Sequence, residues 1–413
     1  MLYWQKRPAS RLKGMRSVFA ATTPPRMITL VILTGLSVLS LNMFLPSLSN
    51  MAVDFETDYS VMTLAIAGYL AITAVLMMIM GPLSDRYGRR PVLLVAVSIF
   101  TLSSLVCALS THIWIFLFFR VCQGAVIAGW AISLAVIRDT TAPQEAASKI
   151  GYVTMAMAVA PMLGPMFGGV LDELFNWRAS FFAYTGFGLL AFTLCWFDLG
   201  ETNKTRSATF AQQFQSYPEL FGSRRYWGYA ICQAFSTGAF YVFIAGAPLI
   251  AVTLLGLTPA VLGFYMGTIT AGFAFGSFIS GRYARRFPLT TMMIAGRIVG
   301  NFGVVAALIL VALEHLNVGT LFGALVFVGI GNGLTMPSCN AGILSLRPAL
   351  AGSAAGLAGA LTIGGGALLT TLTGAVVTEE NGAYGLLFVL LLCTLMSLAG
   401  AVTVWLLDRH HPA

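Results

Sequence analysis

Twelve apolar runs of 19 to 28 residues follow one another along the chain, and charged residues, prolines or glycines bound each of them. About 20 apolar residues in an α-helix are enough to cross the hydrocarbon core of a bilayer. The pattern therefore predicts twelve transmembrane spans. They are expected at residues 27–48, 60–81, 91–109, 113–137, 149–171, 179–199, 227–254, 260–281, 289–313, 320–346, 350–377 and 383–407.

A repeat relates the two halves of the chain. Residues 84–90, SDRYGRR, lie between spans 2 and 3, and residues 280–286, SGRYARR, lie between spans 8 and 9, at an offset of 196. We therefore expect an all-α polytopic membrane protein with two six-helix halves. Its predicted parts are an N-terminal tail 1–26, a first bundle 27–199, a central loop 200–226, a second bundle 227–407 and a C-terminal tail 408–413.

The composition excludes an ordinary soluble protein, because 58% of the residues are hydrophobic and only 9% are charged. A soluble domain carries about 25% charged residues.

The six cysteines all lie in apolar runs without a CxxC pair, so neither a disulfide nor a metal site is expected. The chain also lacks HExxH and Walker motifs, so the sequence does not predict an enzyme or an ATP-driven pump.

The basic residues predict the orientation of the chain. Twenty of the 23 Lys and Arg residues fall in the tails and loops of one side, and Arg178 alone falls on the other. By the positive-inside rule, both termini should be cytoplasmic. The net charge of +8 is thus explained by basic residues that set the orientation in the membrane, so it does not indicate a nucleic-acid partner. Arg120 and Arg297 lie within spans, and Arg297 is expected to snorkel or to pair with a neighbour.

The loop after span 2 reads GPLSDRYGRRP over residues 81–91. Its glycines allow a tight turn, and Asp85 can accept hydrogen bonds from arginines or from a helix N-terminus across the seam between the halves. The loop resembles the signature loop of the major facilitator superfamily, which implies the major facilitator fold and a cytoplasmic gate. The implied gate residues are Gly81, Asp85, Arg86, Gly88, Arg89 and Arg90. Gly281 stands at the place of Asp85 in the second copy, which predicts a weaker latch there.

Two further motifs resemble those of drug exporters in this superfamily. In span 4, residues 120–124 read RVCQG and resemble the RxxQG motif, which implies a role for Arg120 and Gln123 in proton coupling or in fixing polar groups of span 1. A charged side chain within the bilayer is costly, so Arg120 is expected to face a wet cavity; the alternative is that it is hydrogen-bonded to backbone carbonyls in a purely structural role. In span 5, residues 160–169 read APMLGPMFGG and resemble the antiporter motif. Its characteristic residues are Pro161, Gly164, Pro165, Gly168 and Gly169, whose small side chains should let span 5 approach a helix of the other half.

Shorter stretches in spans 1, 4, 6 and 11 make the chain similar to the bicyclomycin/chloramphenicol-resistance (Bcr/CflA) type of drug:proton antiporter. The resemblance implies a monomeric exporter of small molecules in the bacterial inner membrane, driven by the proton gradient and without a cofactor. That type usually has an aspartate at the position of Asn42, and an amide cannot titrate. Neutral or anionic amphiphiles are therefore the expected substrates. An uptake permease and an uncoupled facilitator remain alternatives.

Polar and aromatic residues on the helices that line the cavity of this fold are the candidates for substrate contact. Aromatic and methionine side chains offer large, adaptable surfaces to apolar ligands. The candidates are Asn42, Tyr69, Trp130, Phe240, Tyr241, Tyr265, Asn332, Met336 and Asn340. We expect Asn332 above all, because an amide within the bilayer needs a partner.

Overall fold

A computed structural model describes residues 25–141, 143–203, 221–283, 286–346, 351–378 and 380–410, and within these ranges the chain is helical and contains no strand. Nine spans are single helices, which are Arg89–Leu109, Pro143–Leu174, Arg178–Asp198, Arg224–Thr253, Pro259–Tyr283, Leu289–Ala312, Val318–Leu346, Ala351–Val376 and Gly382–His410. Together with the three interrupted spans described next, they give twelve spans in two sets of six. Eleven of the helical stretches in the described ranges are long and apolar enough to cross a membrane, and the twelfth span is Pro143–Leu174.

Spans 1, 2 and 4 are each interrupted. Span 1 consists of the helix Met27–Asn42, the 3₁₀ turn Leu45–Ser47 and the helix Leu48–Asp54, and span 2 consists of Tyr59–Met62 and Leu64–Tyr87. Span 4 consists of Ile113–Cys122, the 3₁₀ segment Gln123–Ile127 and Ala128–Thr140. Pro46 lacks a backbone donor, which accounts for the break in span 1. The 3₁₀ segment of span 4 falls within the predicted RxxQG motif, and such segments often mark a functional hinge.

Span 5 is the longest helix, with 32 residues from Pro143 to Leu174. At 1.5 Å per residue it measures about 48 Å, which exceeds the roughly 30 Å thickness of the hydrocarbon core. The sequence predicts this span only from residue 149. The helix begins earlier because a proline at the first helical position has no donor to lose.

The described hydrogen bonds between the two halves lie at one end of the bundle. We call it the outer end, after its predicted orientation; it contains Asp54 and Arg178, whereas the basic end contains the loop 84–90. Three hydrogen bonds join the halves at the outer end. They run from Ser49 Oγ to the Pro248 carbonyl (3.4 Å), from Tyr59 Oη to the Ala245 carbonyl (2.7 Å) and from the Ala260 amide to Glu173 Oε1 (3.3 Å).

Close backbone packing accompanies these hydrogen bonds at the outer end. A methyl group added to Gly169 of span 5 would overlap the carbonyl of Pro259 in span 8, and one added to Gly263 would overlap the carbonyl of Pro165. Span 11 approaches span 2 in the same way, because a methyl group on Gly374 would overlap Thr63. Only glycine therefore allows the two halves to meet at this distance.

An aromatic cluster fills the outer part of the N-terminal half. Phe116 of span 4 makes edge-to-face contacts with Trp177, the residue before span 6, and with Phe181 of span 6, with ring centroids 5.9 and 5.2 Å apart. Phe181 also contacts Phe44, beside the break in span 1, at 5.8 Å. Such pairs contribute about 0.5–1.5 kcal/mol beyond their buried area. The cluster holds Phe44 in place, which matters for the site described below.

Candidate functional site

The loop after span 2 forms a compact ionic network at the basic end. Arg89 Nη2 lies 2.5 Å from Asp85 Oδ1, and Arg89 Nε lies 3.1 Å from Asp139 Oδ2 at the end of span 4. Arg89 Nη1 also donates to Ser84 Oγ at 2.5 Å. Arg89 is buried, so one guanidinium fixes spans 2, 3 and 4 to one another at this end.

Glu201, which follows span 6, caps the first turn of span 3. Its carboxylate accepts hydrogen bonds from the backbone amides of Arg89 (2.9 Å) and Arg90 (3.3 Å), two of the donors that a helix N-terminus leaves free. Gly88 has a φ of +105°, and a methyl group there would overlap the Glu201 carboxylate. The loop thus requires glycine at residue 88 for two reasons. The sequence gives no role to Glu201, because 112 residues separate it from Arg89.

The remaining gate residues also have partners within the N-terminal half or face water. Arg90 donates to the Trp196 carbonyl at 2.8 Å, and Arg86 is exposed beside Tyr87. Asp85 was expected to bond across the seam between the halves. In this structure its ion pair with Arg89 lies within its own half. Gly81 has open space where a side chain would point.

Arg120 lies at the centre of the N-terminal half and is fully buried. Its guanidinium donates to the Ala65 carbonyl (3.2 Å), to Gln123 Oε1 (2.5 Å) and to the Ser40 carbonyl (2.8 Å). The rings of Phe44 and Tyr69 lie 4.3 and 4.4 Å from its carbon Cζ. A cation without a carboxylate partner is stabilised here by three acceptors and two aromatic faces.

This placement differs from the expectation that Arg120 faces a wet cavity. The expectation is wrong for this conformation, because no part of the side chain reaches solvent and its donors bind backbone and amide oxygens. Gln123 extends the network by donating to Ser104 Oγ of span 3 at 2.7 Å. Arg120 therefore joins spans 1, 2 and 4 and, through Gln123, span 3.

Asn42 occupies the last turn of the first helix of span 1, next to the break. Its Nδ2 donates to the Val38 carbonyl at 2.7 Å, and its buried Oδ1 has no hydrogen-bond partner among the described residues. Its Cβ lies 3.4 Å from the position that a methyl group on Gly164 would occupy. The residue thus faces span 5, at the antiporter motif.

The antiporter motif contacts both halves, although the sequence suggests contact with the other half alone. Gly169 and Pro165 meet span 8, as described above. Gly164 and Gly168 instead pack on span 1 of the same half, where a methyl group on Gly168 would overlap the Met43 carbonyl. Pro161 and Pro165 both lie inside the helix. The motif therefore holds the break of span 1 on one face and the outer end of span 8 on the other.

Several carboxylates of the N-terminal half are paired with arginines. Asp85 and Asp139 share Arg89, and Asp54 binds Arg178 at 2.6 Å. Asp172 differs, because it is the one buried acid among those whose side chains the structure describes. It accepts a hydrogen bond from Asn50 Nδ2 at 2.7 Å and lies near the break of span 1. The sequence places Asp172 simply outside the membrane and gives it no role.

The substrate candidates fall into three groups by their surroundings. The Oδ1 of Asn332 accepts a hydrogen bond from Arg297 at 2.9 Å and is not free to bind a ligand, so the structure does not support Asn332 as the preferred substrate contact. The same bond confirms that Arg297 pairs with a neighbour. Tyr69 is buried against Arg120, and Tyr241 is buried with its ring against Gly366. The partly or fully exposed candidates are Trp130, Phe240, Tyr265, Met336 and Asn340.

Comparison with known proteins agrees with the fold and the motifs. The chain is 27% identical over 378 residues to multidrug resistance protein D of Escherichia coli (strain K12), covering 88% of this chain and 92% of that protein. It is 25% identical over 381 residues to the bicyclomycin resistance protein homolog of Haemophilus influenzae, covering 90% and 93%.

A solved structure shows the same fold. The crystal structure of a bacterial homologue of the human lysosomal transporter Spinster superposes with a TM-score of 0.75 at 17% identity, covering 94% of this chain and 98% of that one. The family model of the Major Facilitator Superfamily matches residues 30–371. The chain therefore belongs to the Major Facilitator Superfamily and is a multi-pass membrane protein of this family of small-molecule transporters.

Proposed function

We propose that this protein exports drug-like or metabolite amphiphiles across the bacterial inner membrane by alternating access. The observation that carries the proposal is the antiporter motif of span 5, whose glycines meet both span 1 and span 8. A helix in contact with both halves at the outer end can transmit a change in one half to the seal between them. The relatives named as multidrug and bicyclomycin resistance proteins support export as the direction.

The contacts between the halves support an inward-open conformation. The described hydrogen bonds between the halves lie at the outer end, while the motif residues of the basic end bond within the N-terminal half. The basic end should face the cytoplasm, because Lys and Arg are enriched in cytoplasmic loops. Both termini would then be cytoplasmic.

A drug and metabolite susceptibility panel tests this function. Cells that produce the native protein should tolerate higher concentrations of some amphiphiles than cells without it, and cells producing Gly169→Val should not. Gly186→Val is the matched control, because a methyl group there meets nothing within 4 Å. Substrate accumulation in cells with the native protein would instead establish an uptake permease.

Proton linkage is a second part of the proposal, and Asp172 is its candidate residue. The family's usual acid is replaced by Asn42, and the nearest other acids, Asp54, Asp85 and Asp139, are held by arginines. Asp172 is buried and bonded to a neutral amide, so its charged form is poorly compensated. The charged groups near it are Glu173 on its own helix and the Asp54–Arg178 pair. Export that is equally fast with and without a pH gradient would establish an uncoupled facilitator.

A further inference from the structure

One face of span 7 carries three polar side chains spaced four residues apart, Gln233, Thr237 and Tyr241. Residues four apart lie above one another on a helix. Thr237 Oγ1 donates to Met336 Sδ of span 10 at 3.7 Å, and the Tyr241 ring lies against Gly366 of span 11. This face of span 7 is therefore directed toward spans 10 and 11.

The same helices take part in the seam between the two halves. Span 11 approaches span 2, where the Met77 methyl carbon lies 3.4 Å from the position of a methyl group on Gly359. Span 7 meets span 2 through the hydrogen bond from Tyr59 to the Ala245 carbonyl. In this fold the substrate site lies between the halves near the middle of the membrane. Gln233, nine residues after the start of span 7 at Arg224, lies on the basic-end side of that region.

Gln233 is the residue on this face whose hydrogen bonding is incomplete. Its side chain is 8% exposed, and its Oε1 is buried without a hydrogen-bond partner among the described residues. A buried amide oxygen that lacks a donor is unfavourable, and folded proteins leave few of them. The contrast with Asn332 is informative, because that amide oxygen is bound by Arg297.

The amide oxygen of Gln233 determines which chemical groups of a ligand can bind it. An amide oxygen binds an N–H or O–H group, whereas an anion would be repelled by it. A bare cation would need a carboxylate, and the acids that have described side chains lie at the two ends of the bundle. Phe240 and Met336 supply apolar surface beside this face.

We propose that Gln233 binds the exported solute through a hydrogen bond to its amide oxygen, and that the preferred substrates are neutral amphiphiles bearing O–H or N–H groups. This inference rests on the proposed export function and narrows its substrate class. It also adds a contact residue that the sequence patterns do not single out.

Transport by the purified protein in proteoliposomes tests the inference. The probes are chloramphenicol, which is neutral and has two hydroxyl groups and one amide N–H, and its 1,3-di-O-acetyl ester, in which both hydroxyls are masked and only the amide N–H can donate. The native protein should transport chloramphenicol faster than the ester. Gln233→Met keeps the length of the side chain but loses the acceptor, and should lower the ratio of the two rates about tenfold, as expected for one hydrogen bond. Ile298→Leu, an apolar exchange at an exposed residue of span 9 away from this face, should leave the ratio unchanged.

A second variant keeps the test informative if Gln233→Met does not reach the membrane. Gln233→Glu retains an acceptor and adds a charge, so it should keep the preference for chloramphenicol and gain transport of tetraphenylphosphonium, which the native protein should exclude. Rapid transport of this cation by the native protein would overturn the inference, as would transport of both chloramphenicol and the ester at the native rates in Gln233→Met. In both cases export itself would stand. If the native protein exported neither probe nor any other neutral amphiphile of the panel, the proposed function would fail together with the inference.

Discussion

Replacing Arg120 by lysine separates a structural role for the guanidinium from a role for its charge alone. The three acceptors of Arg120 belong to Ser40, Ala65 and Gln123, which lie on spans 1, 2 and 4. An ammonium group is compact and lacks the planar fork, so it can reach about one of them. The other two acceptors would each lose a hydrogen bond from a charged donor, at about 1–3 kcal/mol each. Arg120→Lys should therefore cost about 2–6 kcal/mol of stability.

The expected loss is measured by thermal unfolding of the purified protein in detergent. A cost of this size should lower Tm by roughly 4–24 °C, at about 2–4 °C per kcal/mol for a large domain. Arg120→Ala should fall further and lose export, because it also leaves a cavity between the two rings. Arg26→Lys is the control, since the side chain of Arg26 is 83% exposed. Native stability and export in Arg120→Lys would show that the charge alone matters and would refute the argument from hydrogen bonds.

Three other substitutions test separate parts of the site. Gly168→Ala would place a methyl group on the Met43 carbonyl, so export and yield should fall by about tenfold, whereas Gly186→Ala, with free space, should match the native protein in the same export assay. Glu201→Ala removes the cap of span 3 and should cost about 0.5–2 kcal/mol in a thermal unfolding measurement; an unchanged Tm would exclude the capping role. Asp172→Asn should abolish the dependence of export on an imposed pH gradient in proteoliposomes, and an unaltered dependence would send the search for the proton site elsewhere.

The number and order of the spans are predictable from the sequence because a bilayer imposes a minimum length on every apolar run. The breaks within spans 1 and 4 are harder to predict. Pro46 signals the first, but the 3₁₀ segment Gln123–Ile127 has no proline and follows from close packing, since a methyl group on Gly124 would overlap Ile72 of span 2. Local propensity does not contain that information.

Most hydrogen bonds of the candidate site that the sequence motifs do not reveal are made with residues distant in the sequence. The acceptors of Arg120 include two backbone carbonyls, and a carbonyl has no sequence signature. Asn332 attracts notice as a lone amide within a span, yet its partner is Arg297 on the neighbouring helix. Gln233 is equally visible in the sequence, but only the structure shows that its oxygen lacks a donor. A polar residue within a span therefore marks a need for a partner, and the fold decides whether that partner is protein or ligand.

The strength of the contacts differs within and between the halves, and this difference suits alternating access. Arginine side chains connect the helices of the N-terminal half at three levels along the membrane normal. They are Arg89 at the basic end, Arg120 in the middle and Arg178, paired with Asp54, at the outer end. At the outer end the halves are joined by three hydrogen bonds to single backbone groups, one of which involves a charged side chain, Glu173. Hydrogen bonds between neutral groups contribute only about 0.5–1.5 kcal/mol each, and those to charged groups about 1.5–3 kcal/mol. Opening the outer end therefore requires breaking these three hydrogen bonds and separating the packed glycines of spans 5 and 8, while the N-terminal half moves as one body. Closure of the basic end then requires a new partner for the Asp85 loop on the opposite half.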